Sequence, residues 1–240
     1  MRNLRFISFY LLLTMGLASV VFNSCNGDKK DEPTVTPTDP TDPTDPTEPT
    51  IPGVGEPTAT TDPGVVINGV RWATRNVDKP YTFAAKPEDG GMFYQWNTNV
   101  GWSINPIAPS DGVSTWNNNY KTAINATTWE SRNNVCPTGW RIPTRAEYRS
   151  LVSAGSKWTV TPANGRIFGT APNTIFLPAA GSLYTLGGEL KLNNAGESNS
   201  IWSSTPYNAS NACRLWFNDT NTDDDGSYGT SGYSVRCVAE

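Results

Sequence analysis

An acidic stretch near the end of the chain has the residue types and spacing that could bind a metal ion. Asn221, Asp223, Asp225 and Gly226 fit the pattern N-x-D-x-D-G, the first half of a calcium loop whose oxygen ligands alternate toward one cation. Gly232 stands where the bidentate glutamate of such a loop would be. The same composition is typical of a solvated hairpin tip, since Asn, Asp and Gly favour turns. Asn221, Asp223 and Asp225 are therefore a candidate Ca²⁺ site, with an acidic turn as the alternative.

Histidine is absent from the whole sequence. This excludes Ser-His-Asp and Cys-His catalysis and histidine-ligated zinc within the chain. No glycine-rich phosphate loop follows a predicted strand, and no two carboxylates are marked as an acid and base pair. We therefore predict no catalytic residues and a protein that is not an enzyme.

Nine tryptophans lie in the second part of the chain, from residue 65 onward. Flat aromatic rings can stack on the apolar faces of sugars, although packing in a core is their commoner use. Trp102 and Trp116 lie in polar stretches, so we predict that they are exposed and could stack on a ligand. Four others lie in strand-like or helix-adjacent runs and are predicted to be in the core: Trp72, Trp140, Trp202 and Trp216.

The first 24 residues predict an export signal. Arg2 and Arg5 precede an apolar run at 6–15 that is too short to favour a membrane span. Cys25 follows a small residue, which resembles the lipidation site of bacterial lipoproteins. The prediction is a signal peptide at 1–24 with Cys25 as the lipid-carrying N-terminus, and the alternative is an ordinary cleaved signal.

Residues 25–64 predict a disordered linker. Thr-Asp-Pro recurs three times between residues 38 and 46, and nine of the nineteen prolines fall in this tract. Such a composition cannot bury a core and favours extended polyproline-II structure. The tract also holds most of the acidic excess, since residues 65–240 contain fourteen basic and thirteen acidic residues. The domain at 65–240 therefore lacks the basic charge that would indicate nucleic acid binding.

The clearest local element is a helix that begins after Thr144. Thr144 and Glu147 form a capping box, and Gly155 is a typical C-terminal stop. Tyr148, Leu151 and Val152 fall on one apolar face, while Arg145 and Arg149 share the opposite, solvated face.

The remaining patterns predict short strands. Residues 65–73 read as a hairpin around Asn68-Gly69, and residues 92–96 as an aromatic strand. Residues 97–135 read mostly as loop. Further strands are predicted at 174–177, 201–204, 212–217 and 233–239. One helix, several short antiparallel strands and long loops predict the α+β class.

Four segments together resemble the Fibrobacter succinogenes major paralogous domain family. They are I-N-G-V-R-W-A-T-R-N-V (67–77), C-P-T-G-W-R-I-P-T-R-A-E-Y-R-S-L (136–151), I-W-S-S-T (201–205) and Y-S-V-R-C-V (233–238). The stretch W-R-I-P-T-R-A-E-Y is also similar to a motif of formylglycine-generating-type domains. The resemblance implies a C-type-lectin-like domain on a surface lipoprotein of a bacterial outer membrane.

The resemblance also bears on the three cysteines after Cys25. An exported protein is expected to form a disulfide. The lectin-like pattern implies that Cys136 pairs with Cys237, with Cys213–Cys237 as the rival pairing.

Three hypotheses for function follow from these observations. The first is a non-enzymatic binding or adhesion module, lipid-anchored in the membrane, with a glycan or a surface protein as partner. The second is a structural component of the cell envelope without a small ligand. The third is an enzyme of the formylglycine-generating type, whose reactive cysteine pair we cannot locate in this sequence.

Overall fold

The computed structural model describes residues 58–240. The predicted signal peptide, the lipidation residue Cys25 and the linker up to residue 57 lie outside the described residues. No helix within 58–240 is long and apolar enough to span a membrane.

The first half of the described chain contains β1 (Val65–Ile67), β2 (Val70–Asn76), β3 (Phe93–Tyr94), β4 (Gly101–Ile104), β5 (Ile107–Pro109), a 3-10 turn (Ser131–Asn133), β6 (Trp140–Arg141) and α1 (Arg145–Ser153). The second half contains β7 (Ser156–Thr159), β8 (Gly165–Thr170), β9 (Asn173–Pro178), β10 (Ser182–Leu186), β11 (Glu189–Asn193), β12 (Ser198–Pro206), β13 (Asn211–Asn218), β14 (Thr222–Asp223), β15 (Gly226–Tyr228) and β16 (Arg236–Ala239).

These strands form five small sheets, and every strand pair in them is antiparallel. The first sheet has the order β1-β2-β16-β6, so the first and last strands of the described chain lie close together. The others are β3-β4-β5, β7-β8-β9, the hairpin β10-β11, and β12-β13-β14 with β15 also paired to β13. Antiparallel sheets with a single α-helix in residues 58–240 agree with the predicted α+β class, at its strand-rich end.

The predicted hairpin at 65–73 is confirmed. Asn68 and Gly69 connect β1 to β2, and both have positive φ angles, 49° and 80°. A two-residue turn needs this conformation because its twist then matches that of the strands. Asn68 also donates a hydrogen bond to the carbonyl of Ser150 at 2.8 Å, which ties the turn to α1.

Helix α1 begins and ends as the sequence predicts. The Glu147 amide donates to Thr144 Oγ1 at 3.3 Å, and the Thr144 amide donates to Glu147 Oε2 at 2.7 Å, so the capping box is complete. Gly155 follows the helix with φ +87°. Tyr148 and Leu151 are buried against the strands of the domain, in a cluster that includes Trp72, 5.3 Å from the Tyr148 ring.

A buried ion pair joins the segment before β1 to the domain. Asp62 Oδ2 lies 3.1 Å from Arg75 Nε, and both side chains are almost fully buried. Asp62 also accepts hydrogen bonds from the Thr74 amide and hydroxyl, each at 2.9 Å. The end of the segment that the sequence assigns to the linker is therefore tied to β2 through Asp62. The composition of this segment, rich in Thr and Pro, concealed the single aspartate that fixes it.

A second arginine, Arg236 on β16, is fully buried and pairs with no carboxylate of residues 58–240. Its guanidinium donates to the carbonyls of Ala73 and Phe176 and to Asn76 Oδ1, each at 2.9–3.0 Å. Burial lowers the pKa of Arg236 to about 10. These bonds join β16 to β2 and β9. The acceptor oxygens also replace the water that the guanidinium loses when it is buried.

The stretch at 97–135 differs from its prediction as a loop. It contains β4 and β5, which extend the strand predicted at 92–96 into a three-stranded sheet. The strand itself is shorter than predicted and covers only β3. The strands predicted around 174–177, 201–204, 212–217 and 233–239 are present as β9, β12, β13 and β16.

Candidate functional site

The segment in front of α1 is fixed by a disulfide between Cys136 and Cys237. This confirms the pairing implied by the family resemblance and excludes Cys213–Cys237. Cys213 remains a free, buried thiol. Burial raises the pKa of the Cys213 thiol, which is the opposite of what a reactive cysteine requires. The arrangement therefore gives no support to cysteine-based catalysis.

Arg141, just before α1, pairs with the capping-box glutamate. Its two terminal nitrogens donate to the two Glu147 oxygens at 2.9 and 2.6 Å. Burial alone would raise the pKa of Glu147, but the hydrogen bonds from Arg141 and Thr144 outweigh burial and lower the pKa. The cation and the carboxylate thus neutralise each other.

The predicted calcium loop contains strand β14 and leads into β15, and its predicted ligands are exposed. Asp223 lies on β14, which pairs with β13, so neighbouring side chains point to opposite sides. Asn221, Asp223 and Asp225 are exposed, whereas Asp224 between them faces the protein. In residues 58–240 no three acidic or cysteine side chains are grouped as metal ligands. Calcium binding at Asn221, Asp223 and Asp225 therefore stays a prediction, and their exposed side chains do not form a closed set of ligands in this structure.

Asp224 instead connects this region to α1. It lies 2.9 Å from Arg145 Nε and also pairs with Arg149. Burial would raise the pKa of Asp224, but hydrogen bonds from the two arginines lower it. The predicted solvated face of α1 is thus partly occupied by an ion-pair cluster.

The prediction that Trp102 is exposed is wrong. Trp102 lies on β4, is only 7% exposed, and packs with Phe93 and Leu183 in a small apolar cluster. Trp116 is half-buried and packs edge-on against Trp102, with ring centroids 5.2 Å apart. The two tryptophans predicted to stack on a ligand therefore pack edge-on against each other. The reason is strand β4, which turns its tryptophan toward the interior.

The four tryptophans predicted to lie in the core follow that prediction with one exception. Trp72, Trp140 and Trp202 are buried, as expected for core residues. Trp216 is only half-buried, because it lies on β13 at a position that alternates with the buried Leu215 and Phe217.

A concave surface that the sequence did not indicate lies between the end of β3 and two distant loops. We call it the first groove. It has a volume of about 210 Å³ and is formed by residues 95–98, 117, 122–126 and 229–230. Four carboxamides and three threonines line it together with Trp96 and Ile124, and no charged side chain does. Amides and hydroxyls both donate and accept hydrogen bonds, so the groove matches ligands rich in hydroxyl groups.

Gln95 holds the walls of the first groove together. Its amide nitrogen donates to the carbonyls of Asn117 and Thr230, each at 2.6 Å, and its oxygen accepts from the Asn117 amide at 3.2 Å. Gln95 is buried, so these bonds are not exchanged for bonds to water. Trp96 adds a bond from its ring nitrogen to the Ser203 carbonyl at 2.8 Å. The groove is therefore pre-formed by side chains bonded to backbone.

Two exposed tyrosines come from the segments that form this groove. Tyr120 is 55% exposed and Tyr228 is 48% exposed, and their rings meet edge-on with centroids 5.7 Å apart. Lys121 places its ammonium 5.9 Å from the centroid of the Tyr120 ring. Sequence reasoning missed the pair because the two residues are far apart in the chain and only the fold brings them together. Exposed apolar residues that lie together indicate a recognition surface more strongly than residues scattered singly.

A second groove, of about 560 Å³, lies beside the capping-box segment. Trp129 and Ile142 supply its apolar surface, and Ser131, Ser204 and Arg141 are among its polar lining residues. Trp129 contacts Trp96 of the first groove, with ring centroids 5.8 Å apart and an edge-on arrangement. The two grooves are thus neighbours across one aromatic wall.

Comparisons with known proteins identify no relative: neither a protein-family model, nor a curated protein, nor a solved structure matches this chain.

Proposed function

We propose that this protein is a non-enzymatic binding module that recognises a glycan through the first groove. The observation that carries the proposal is the uncharged, amide-lined groove beside the exposed rings of Tyr120 and Tyr228. The rings offer apolar surface to the C–H faces of a sugar, and the carboxamides pair with its hydroxyl groups.

The fold and family belong to the same proposal. We place residues 58–240 in the major paralogous domain family with a C-type-lectin-like fold. Support comes from the first and last strands sharing one sheet, from the single capped helix of residues 58–240, and from the Cys136–Cys237 disulfide. The pairing is the one that the family resemblance implies.

We further propose that Cys25 carries a lipid anchor and that the linker holds the domain away from a bacterial outer membrane. Two acyl chains on Cys25 would give stable anchoring. An extended linker of this length reaches roughly 100 Å at about 3.1 Å per residue. Nucleic acid is not an expected partner, because the domain carries almost balanced charge.

The anchoring predicts a simple fractionation result. Cys25→Ala should move the protein from the membrane fraction to the soluble fraction, whereas Cys213→Ala should leave it in the membrane. Membrane retention of the Cys25→Ala variant would reject the lipoprotein proposal.

A glycan array probed with the full chain tests the binding function. Saturable binding should be lost in the Tyr120→Ala/Tyr228→Ala double variant and retained in Tyr184→Ala, which removes an exposed tyrosine from β10 instead. Silence on the array, together with specific capture of envelope proteins, would favour the alternative role as a structural component. Equal binding by both variants would move the site away from the first groove.

A further inference from the structure

The two grooves share one continuous piece of chain. Residues 122–126 line the first groove and residues 128–129 line the second, with only the exposed Thr127 between them. The Trp96–Trp129 contact forms the wall beneath this edge. Below it, Asn97 accepts a hydrogen bond from the Glu130 amide at 2.8 Å, and its carbonyl accepts one from Asn133 Nδ2 at 2.8 Å. The spatial relation of the two grooves is therefore fixed by the packing of two buried tryptophans and by these hydrogen bonds.

The two grooves differ in the size of the ligand that each can hold. Sites for drug-sized molecules typically enclose roughly 300–1,000 Å³. The first groove, at about 210 Å³, is below this range, whereas the second, at about 560 Å³, is within it. A ligand that uses the first groove alone would be small, and additional units would have room in the second.

The second groove also offers contacts that suit a sugar unit. Trp129 and Ile142 present apolar surface, and the Ser204 hydroxyl and the exposed Ser131 hydroxyl make no side-chain hydrogen bond within residues 58–240. Arg141 is already neutralised by Glu147, and Glu240 adds a carboxylate, so no unpaired cation attracts an acidic group. Beside the first groove, Lys121 lies over the Tyr120 ring and is not part of the groove lining. The linings of both grooves therefore match a neutral ligand.

We infer that the two grooves are subsites of one extended site for a neutral oligosaccharide of several units, which passes over Thr127. This inference rests on the proposed glycan-binding function. It adds the ligand class, a neutral chain rather than a single sugar or an acidic glycan, and it assigns a binding role to the surface beside the capping box.

The test measures the affinity of the full chain for neutral glucose, mannose and xylose oligomers of one to eight units. In the series that binds, affinity should rise at least tenfold between the shortest oligomer bound and those of four or more units, and then stay constant. Ser131→Trp, which places a bulky ring at the exposed edge of the second groove, should remove this length-dependent gain. Thr138→Trp, at an exposed position outside both grooves, should retain it.

The outcomes separate this inference from the function on which it rests. Binding in which all lengths have equal affinity, or a length-dependent gain that survives Ser131→Trp, would overturn the extended site while leaving glycan binding intact. A preference for uronic acid oligomers over neutral ones of equal length would overturn the assignment of a neutral ligand. Absence of binding to every carbohydrate would reject the proposed function itself.

Discussion

Some single side chains stabilise this domain through two different contacts at once. Glu147 accepts hydrogen bonds from Thr144 and from Arg141, so one carboxylate caps α1 and neutralises a cation in front of it. Leu151 on the same helix is only 1% exposed, whereas the Arg149 side chain is 62% exposed. These differences in environment predict how substitutions in α1 rank.

Of three alanine substitutions in α1 and its N-cap, the one at the buried leucine should be the most damaging. Leu151→Ala removes buried apolar surface and should lower the free energy of unfolding by about 2–5 kcal/mol. Thr144→Ala removes an N-cap and should cost about 1 kcal/mol. Arg149→Ala breaks an exposed ion pair with Asp224 and should cost no more than about 1 kcal/mol. Denaturant titration of the three variants measures the order, and Arg149→Ala as the most damaging change would contradict the assigned helix face.

The buried ion pair between Asp62 and Arg75 leads to a second prediction for a single residue. Its removal leaves Arg75 buried without a carboxylate, and breaking such a pair typically costs about 3–5 kcal/mol. Asp62→Ala in the full chain should therefore lower the free energy of unfolding by an amount in this range. Asp219→Ala, at an exposed aspartate, should change it by no more than about 0.5 kcal/mol. If the two variants were equally stable, the segment before β1 would not be part of the folded domain.

At the level of elements, the sequence predicts well where the determinants are local. Asn68-Gly69 specifies a turn and Thr144 with Glu147 specifies a helix start, because each acts through its own neighbours along the chain. Strands β4 and β5 were not predicted because each is short and mixes polar with apolar residues. They form strands only when β4 pairs with β3. The same long-range pairing buries Trp102, which the sequence alone placed on the surface.

The candidate site depends even more on long-range contacts. Gln95 joins chain segments that are far apart, since its amide bonds both Asn117 and Thr230. No periodicity or spacing marks such a residue, and Tyr120 and Tyr228 likewise meet only in the folded protein. The acidic loop shows the converse, because its ligand pattern at 221–226 is recognisable in the sequence, whereas only the fold shows that Asp223 lies on β14 and that Asp224 pairs with Arg145.

On the scale of the whole molecule, the disulfide closes a loop with a sequence separation of 101 residues. In the chain-entropy model a cross-link of this span stabilises a fold by about 4–5 kcal/mol. The Cys136→Ala/Cys237→Ala variant should therefore be less stable than the wild-type chain by up to this amount in denaturant titration. Cys213→Ala, which removes only a buried thiol, should cost clearly less. The reverse order would mean that the disulfide is not a main constraint on the domain.

The central claim is that the first groove is the ligand site of the molecule. The most direct measurement is heteronuclear NMR of isotopically labelled protein during titration with the glycan that binds best on the array. The account predicts that the largest shift changes occur at the Gln95 side-chain amide, the Trp96 ring N–H and the Asn117 backbone amide. Shift changes confined to other surfaces, such as the acidic turn at 221–226, would contradict it.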